Sequence, residues 1–386
     1  MIRVFSSRLN WDARPSPLAK LLAEKRRMGA EILDLTESNP TRAGLHYPSG
    51  ILASLADPRG LRYDPDPRGL LLARQEVCGY YGDRGVNVSP AQILLTASTS
   101  EAYCYLFKLL ADPGHEILVP RPSYPLFEYL AAVECVRVRP YPLRYDGIWH
   151  IDFTALEGAI TARTRAIVAV NPNNPTGSYL KRDERERLER LNLPIISDEV
   201  FSDFGLTDDA RRVRTLASDA RCLTFSMSGL SKVAGLPQLK LGWILASGPG
   251  WEAAMEGLEW IADTFLSVST PVQLALPELL AAAKTIQTQI LARTRANLAL
   301  LRQALDAGSP CHLLQVEGGW YAVLQVPRTR SEEEWALELL AGYGVLLQPG
   351  FFYDFDSEAY LVVSLLTPPE AFREGVSRIL AALAQS

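Results

Sequence analysis

Residues 222–245 read Cys-Leu-Thr-Phe-Ser-Met-Ser-Gly-Leu-Ser-Lys-Val-Ala-Gly-Leu-Pro-Gln-Leu-Lys-Leu-Gly-Trp-Ile-Leu. Lys232 follows a run of small and hydroxyl residues, and apolar segments flank that run on both sides. A lysine among such neighbours is partly desolvated, which favours its neutral amine and makes it a nucleophile. A lysine that forms a Schiff base needs that setting. Taken alone, the window more simply holds a surface lysine on a loop. The decision comes from the segments on either side.

Outward from Lys232 the chain alternates short apolar runs with helical patterns. Ile93-Leu-Leu-Thr96, Glu116-Ile-Leu-Val119, Ala166-Ile-Val-Ala-Val170 and Pro194-Ile-Ile-Ser197 read as strands, as do 223–226 and 240–246. Residues 100–110, 124–133 and 182–191 read as helices between them. This rhythm implies an α/β fold with a mostly parallel sheet covered by helices on both faces. After Pro271 the rhythm changes. A long helix runs to about Asp306, followed by strands near 312–316 and 320–326 and helices near 331–341 and 369–384. That part reads as a smaller α+β domain, completed by the N-terminal helix at 16–28 and a short strand at 32–36. The expected division is 1–42 and 276–386 for the small domain and 43–275 for the large one.

The bulk composition narrows the function. The chain has 386 residues, 48% hydrophobic and 22% charged, with a net charge of −5. That is a globular composition, with room for a large α/β core and a smaller domain. No dense Lys/Arg run is present, so nucleic-acid binding is not expected. Five cysteines stand far apart without a C-x-x-C pair, which fits a reducing compartment rather than a disulfide framework. The four histidines lack metal-ligand spacing, so no metal is expected. No apolar run approaches the roughly 20 residues of a membrane helix. Residues 1–9 lack the apolar core of a secretory signal. The expectation is a cytoplasmic protein.

In open α/β sheets, ligands collect at the carboxyl ends of the strands. The strand at 93–96 leads to Ala97-Ser-Thr-Ser100, just before a helix. Ser98, Thr99 and Ser100 there suit a phosphate, although a plain N-cap by Ser98 or Ser100 accounts for the same pattern. The strand at 116–119 leads to Pro120-Arg-Pro-Ser-Tyr-Pro125, where Tyr124 is either a plate for a flat ligand or a core ring. The strand at 166–170 leads to Asn171-Pro-Asn-Asn-Pro-Thr-Gly177. Its Asn-Pro steps impose a rigid turn, and Asn174 offers an amide. The strand at 194–197 leads to Asp198-Glu199, and a carboxylate in a dry site needs a cationic partner. These pieces together match pyridoxal phosphate, whose ring nitrogen wants an acid and whose aldehyde wants a lysine.

With those motifs, the sequence resembles the class I/II aminotransferases, fold type I of the pyridoxal-phosphate enzymes, over nearly its whole length. The most specific segments are Asn171-Pro-Asn-Asn-Pro-Thr-Gly177, Ser197-Asp-Glu199 and Ser231-Lys232 with Gly235-Leu-Pro237. The resemblance implies that Lys232 is the Schiff-base lysine and proton carrier, and that Asp198 keeps the cofactor's ring nitrogen protonated. It implies further that Asn174 bonds the phenolic oxygen and that Tyr124 stacks on the ring. Thr99, Ser100, Ser231 and Lys240 bind the phosphate on this reading, with Ser98 beside them. Tyr63, in Tyr63-Asp-Pro-Asp-Pro-Arg-Gly69, resembles a tyrosine that reaches the neighbouring subunit's cofactor, which implies a homodimer with shared sites. Ser38 and Asn39 occupy the substrate-side loop.

Three departures stand out. Lys240 replaces a phosphate-binding arginine and loses its bidentate fork. Phe201 replaces a tyrosine whose hydroxyl touches the phenolic oxygen. Val362, in Tyr360-Leu-Val-Val-Ser364, replaces the arginine that clamps the substrate carboxylate. Arg42 is the candidate replacement, against the alternative of a solvated loop arginine. Trp320, Gln348 and Phe352 are further candidates for the pocket wall, and Trp320, Phe351 and Phe352 would suit an apolar donor. The expected reaction is ping-pong transfer of an amino group from an amino acid to a 2-oxo acid. A lyase or decarboxylase of the same fold is the alternative, and a non-catalytic cofactor sensor a more distant one. A regulator's DNA-binding domain is not expected ahead of a match that begins almost at Met1.

Overall fold

A strand buried on both faces needs apolar residues at successive positions, not every second one. Thr164–Val170 meets that demand and lies inside an eight-stranded sheet. The structure is a computed structural model that describes residues 6–9, 14–305, 309–357 and 359–385. Residues 1–5, read above for a signal segment, and Asp306, the expected helix end, lie outside it.

In chain order the large sheet contains β1 (Ile93–Thr96), β2 (Glu116–Arg121), β3 (Arg137–Tyr145), β4 (Trp149–Ile151), β5 (Thr164–Val170), β6 (Ile195–Asp198), β7 (Thr224–Gly229) and β8 (Gly242–Ser247). Their order across the sheet is β1-β8-β7-β6-β5-β2-β3-β4. Strands β7, β6, β5, β2 and β3 run parallel, β8 runs against both neighbours, and β4 folds back on β3. The α/β class inferred from the strand–helix rhythm is the observed one. Side chains alternate between the faces. Leu94 and Ile196 enter one core with Tyr103 and Phe107 of helix α1 (Thr99–Leu110), while Leu95 and Ile195 face the opposite side.

Several elements differ from the sequence reading. The helix expected over 124–133 starts at Phe127, because a residue before proline, here Tyr124, is driven out of the helical region. Strand β3 carries Arg137, Arg139 and Arg144 with Pro140 and Pro142, a composition that hides it; its place next to the sheet edge tolerates proline. The helices Phe153–Ala159 and Trp251–Asp263 were also not legible. The first is a short piece, and the second follows Gly250 with no side-chain cap.

The smaller sheet is antiparallel, in the order β9-β10-β12-β11. It comprises β9 (His312–Leu313), β10 (Tyr321–Gln325), β11 (Gln348–Pro349) and β12 (Tyr360–Ser364). One face packs around Trp335 and Phe372 of two covering helices, and the other places Val323 and Val362 in a core shared with the large sheet. Helix α2 (Thr270–Ala304) runs unbroken through the expected boundary at 275/276. Its Leu276 and Leu279 join the large core, and its Leu298 and Leu301 join the small one. No helix among the described residues is long and apolar enough to cross a membrane.

Candidate active site

The carboxyl ends of β1, β2, β5, β6 and β7 lie along one edge of the sheet, as parallel strands must. Close packing there depends on glycine. A Cβ on Gly229 would lie 2.9 Å from both the Gly242 Cα and the Leu241 carbonyl oxygen, and one on Gly242 would lie 3.3 Å from the Ser98 carbonyl carbon. The absence of side chains at these points lets β7 and β8 close on the Ser98 turn.

Lys232 sits in the short helix Leu230–Val233 that follows β7. Its Nζ lies 5.3 Å from the Trp320 ring centroid and 5.6 Å from that of Phe201. Burial pushes the amine below its ordinary pKa, and the charge of Asp198 pulls it part of the way back. Asp198, at the end of β6, accepts bonds from the Tyr103 hydroxyl at 3.0 Å and from the Val200 N–H at 3.2 Å. It makes no salt bridge among the described residues. Burial raises its carboxyl, against the bonds from Val200 and Tyr103 and the charge of Lys232. Tyr103 was missed in the sequence; its signal is its place one helical turn after Thr99, on the same face of α1. Glu199 has a different task. Its Oε1 accepts from Ser197 Oγ at 2.8 Å, the Leu216 N–H at 2.8 Å and Ser226 Oγ at 3.1 Å, which ties the loop after β6 back to the sheet.

The asparagine string divides in the same way. Asn171 bonds the Val213 carbonyl and the Leu180 N–H, and Asn173 bonds Ser123, the Pro122 carbonyl and Thr176. Asn174 keeps its side chain out of that scaffold, and its Oδ1 is buried without a hydrogen-bond partner among the described residues. At the start of α1, Ser98 Oγ accepts the Glu101 N–H at 3.2 Å as the N-cap. The first-turn N–H groups of Thr99 and Ser100 are thereby left without intrahelical partners. Ser231 is part-buried beside Lys232, while Lys240 is exposed with a left-handed φ of 53°.

On the substrate side, Ser38 is part-buried, and Asn39 Oδ1 is occupied by the Thr41 N–H and hydroxyl. Arg42 is exposed and has no ion-pair partner among the described residues. Tyr124 is part exposed after β2, and Tyr63 is 78% exposed. Trp320 and Phe201 wall the lysine, with ring centroids 5.2 Å apart. Phe352 is part-buried against Phe351, which is exposed.

Comparison with known proteins decides the family. A sequence model of the family described as aminotransferase class I and II matches residues 30–379. The chain belongs to the class I and II aminotransferases. The glutamate–pyruvate aminotransferase AlaA of Haemophilus influenzae is 27% identical over 96% of this chain and 94% of its own. The Escherichia coli K12 enzyme of the same name is 31% identical over 72% of this chain and 70% of its own. An alanine aminotransferase structure from Pyrococcus furiosus superposes with a TM-score of 0.89 at 23% identity, covering 99% of this chain and 100% of that one, and so shares the fold.

Class I and II aminotransferases use pyridoxal phosphate, and the residues present fit it. Asn174 Oδ1 is a buried polar atom without a hydrogen-bond partner among the described residues. Asp198 is a buried carboxylate without a salt bridge among the described residues, and the first turn of α1 presents amides to an anion. When bound, the cofactor supplies an aldehyde and an electron-accepting ring. The groups this chain would set against it are the amine of Lys232, the acid of Asp198 and the apolar wall of Trp320 and Phe201.

The lowered pKa of Lys232 has a measurable sign. The neutral amine should prevail at a lower pH than for a free lysine. The rate at which apo-protein reacts with pyridoxal at Lys232 should therefore reach half its plateau below pH 10.5, the ordinary lysine value. Asp198→Asn removes the charge that raises this pKa and should move the midpoint lower still. A midpoint that rises in Asp198→Asn would contradict this electrostatic arrangement.

Proposed function

We propose that Lys232 and Asp198 carry a ping-pong transfer of an amino group from an amino acid to a 2-oxo acid. The observation that carries this reading is the desolvated Lys232 amine, set against Trp320 and Phe201 and electrostatically coupled to the buried Asp198. In this reading Lys232 moves the proton at the substrate's reacting carbon, and Asp198 holds a proton on the ring nitrogen. Asn174 donates to the ring's phenolic oxygen, and Tyr124 covers the ring face. Ser98, Thr99, Ser100, Ser231 and Lys240 hold the phosphate. The relatives named glutamate–pyruvate and tyrosine aminotransferase support amino-acid and 2-oxo-acid substrates.

The protein acts as a homodimer in this reading. Leu61 and Tyr63 are 93% and 78% exposed, and Trp260 is 77% exposed, a degree of apolar exposure that favours a second copy as cover. Tyr63 would then serve the neighbouring site. A cytoplasmic location is consistent with five free cysteines.

The test is visible absorbance of the protein loaded with pyridoxal phosphate. An amino-acid donor should abolish the band of the bound cofactor, and a 2-oxo acid should restore it. A donor-induced change that no 2-oxo acid reverses would favour a lyase or decarboxylase. Failure to bind the cofactor at all would overturn the proposal.

A further inference from the structure

The subsite around Val362 can be followed through the small sheet. Val362 is fully buried and pairs in register with Val323 on one side and Gln348 on the other. Cross-strand partners share a face of the sheet. This face is the one turned toward the large domain, since Val323 and Val362 pack there with Tyr353, while Leu361 and Val363 point into the small-domain core. The Tyr353 hydroxyl donates to Gln348 Oε1, which leaves the Gln348 amide N–H groups available. The Tyr353 carbonyl accepts the Ser123 N–H at 3.0 Å, which anchors it beside the segment leading to Tyr124. The Tyr321 ring lies 6.4 Å from that of Tyr353 and 6.3 Å from that of Phe201, which itself walls Lys232.

Val362 itself offers no cation to a carboxylate, and the charged side chains of the neighbouring segments are mixed in sign and partly engaged. Arg121 bonds the Asp354 carbonyl at 2.9 Å and lies 3.5 Å from its carboxylate. Arg293 donates one nitrogen to the carbonyls of Ala43 and Leu366, at 2.9 and 3.3 Å. Arg42 stands exposed on the loop. Glu37 adds an acid on the same side. Its backbone carbonyl accepts from Ser364 Oγ at 2.6 Å, and its carboxylate accepts the Asn39 N–H at 2.8 Å. A carboxylate only accepts hydrogen bonds, whereas an amide or alcohol both donates and accepts, as do the glutamine and tyrosine groups here.

We propose that Gln348, Tyr353 and Tyr321 form a neutral hydrogen-bonding subsite in place of a cationic clamp, so that the enzyme accepts amino donors whose amino-bearing carbon carries an uncharged amide or alcohol group as readily as those with a carboxylate. This rests on the aminotransferase reading of the Lys232 site. Without a charge-assisted bidentate pair, the main source of preference for the ionised group is absent.

The test uses the protein loaded with pyridoxal phosphate and two unreactive ligands, 3-phenylpropionate and 3-phenylpropanamide, with affinities measured by calorimetry. The same comparison is then made with L-phenylalanine and L-phenylalaninamide as donors, followed by cofactor absorbance. The acid and the amide should bind within about 10-fold of each other. Val362→Arg should shift the ratio toward the acid by about 30-fold or more, and Gln348→Leu should weaken the amide by about 5-fold. A wild-type preference for the acid above about 100-fold would overturn the proposal, as would loss of acid binding in Arg42→Ala with amide binding intact. Because the wild-type ratio needs no variant, a misfolded Val362→Arg does not rescue the idea. A loaded protein that shows the expected binding ratio but transfers no amino group would overturn the transferase reading and keep the neutral subsite.

Discussion

Lys232→Ala should abolish amino transfer, lowering the rate by about 10³-fold or more, while the unfolding midpoint stays at or above that of the wild type. The first half follows from the chemistry. In the proposed mechanism the side chain is both the nucleophile toward the cofactor and the group that moves a proton, and no second lysine packs against Trp320 and Phe201 among the described residues. The second half follows from desolvation. The amine is buried in a mostly aromatic wall, so its charged form is disfavoured in the folded state. Replacing it with alanine removes that unfavourable burial and leaves space that the cofactor ring can occupy. Steady-state assays and a thermal melt of the same preparation check both halves. A variant that retains a tenth of the activity would remove Lys232 from the centre of the mechanism.

The second large effect lies where two parts of the chain meet. Glu317→Ala should cost about 3–5 kcal/mol of stability, because it strands a buried ammonium. Lys181 Nζ lies 2.6 Å from both oxygens of Glu317, with only 6% and 10% of the two side chains exposed. Lys181 also donates to the Tyr179 carbonyl at 3.1 Å, and Glu317 accepts the Tyr179 N–H at 2.8 Å. Once the carboxylate is gone, the Tyr179 carbonyl is the one hydrogen-bond acceptor left to the ammonium among the described residues. Removing both charges together, as in Lys181→Met with Glu317→Leu, should recover most of the loss, since a buried pair gains little over well-packed apolar groups. Urea unfolding of the three variants measures this. A loss below about 1 kcal/mol in Glu317→Ala would show that the ammonium finds water or another acceptor.

Much of this was legible because buried parallel strands are written as apolar runs. Ile93–Thr96 and Ile195–Asp198 are such runs; the second ends on Asp198, and the first leads into the Ser98 turn, where Thr96 Oγ1 donates to the Ser98 carbonyl at 3.0 Å. Lys232, Asp198 and Asn174 stood out because their residue types are unusual at those positions. Tyr103 did not, because a tyrosine inside an apolar helix face looks like packing until Asp198 is seen opposite its hydroxyl. Gln348 was legible as a candidate for the pocket wall, but its contact with Val362 was not, because it comes through the pairing of β11 with β12 and a two-residue strand leaves no periodic trace. Tyr353, in the turn after β11, joins Val362 by packing alone. Arg42 was the natural candidate for a missing positive charge on sequence grounds, and its exposed position came only from the structure.

One further consequence comes from the glycines beside Glu317. A Cβ on Gly177 would lie 2.6 Å from the Gly318 carbonyl oxygen, and one on Gly318 would lie 2.5 Å from the Tyr179 ring. The Gly318 N–H also bonds the Gly177 carbonyl at 2.9 Å, and the Gly319 N–H bonds that of Phe204 at 2.9 Å. The next residue is Trp320. The indole beside the reactive amine is therefore riveted to the asparagine turn, and the two behave as one masonry corner. Residues 43–47 brace the same corner from the other end of the chain, with Ala43, Leu45 and Tyr47 packed into the Trp320 cluster, the Tyr47 hydroxyl on the Gly235 carbonyl and the Gln289 side chain on His46.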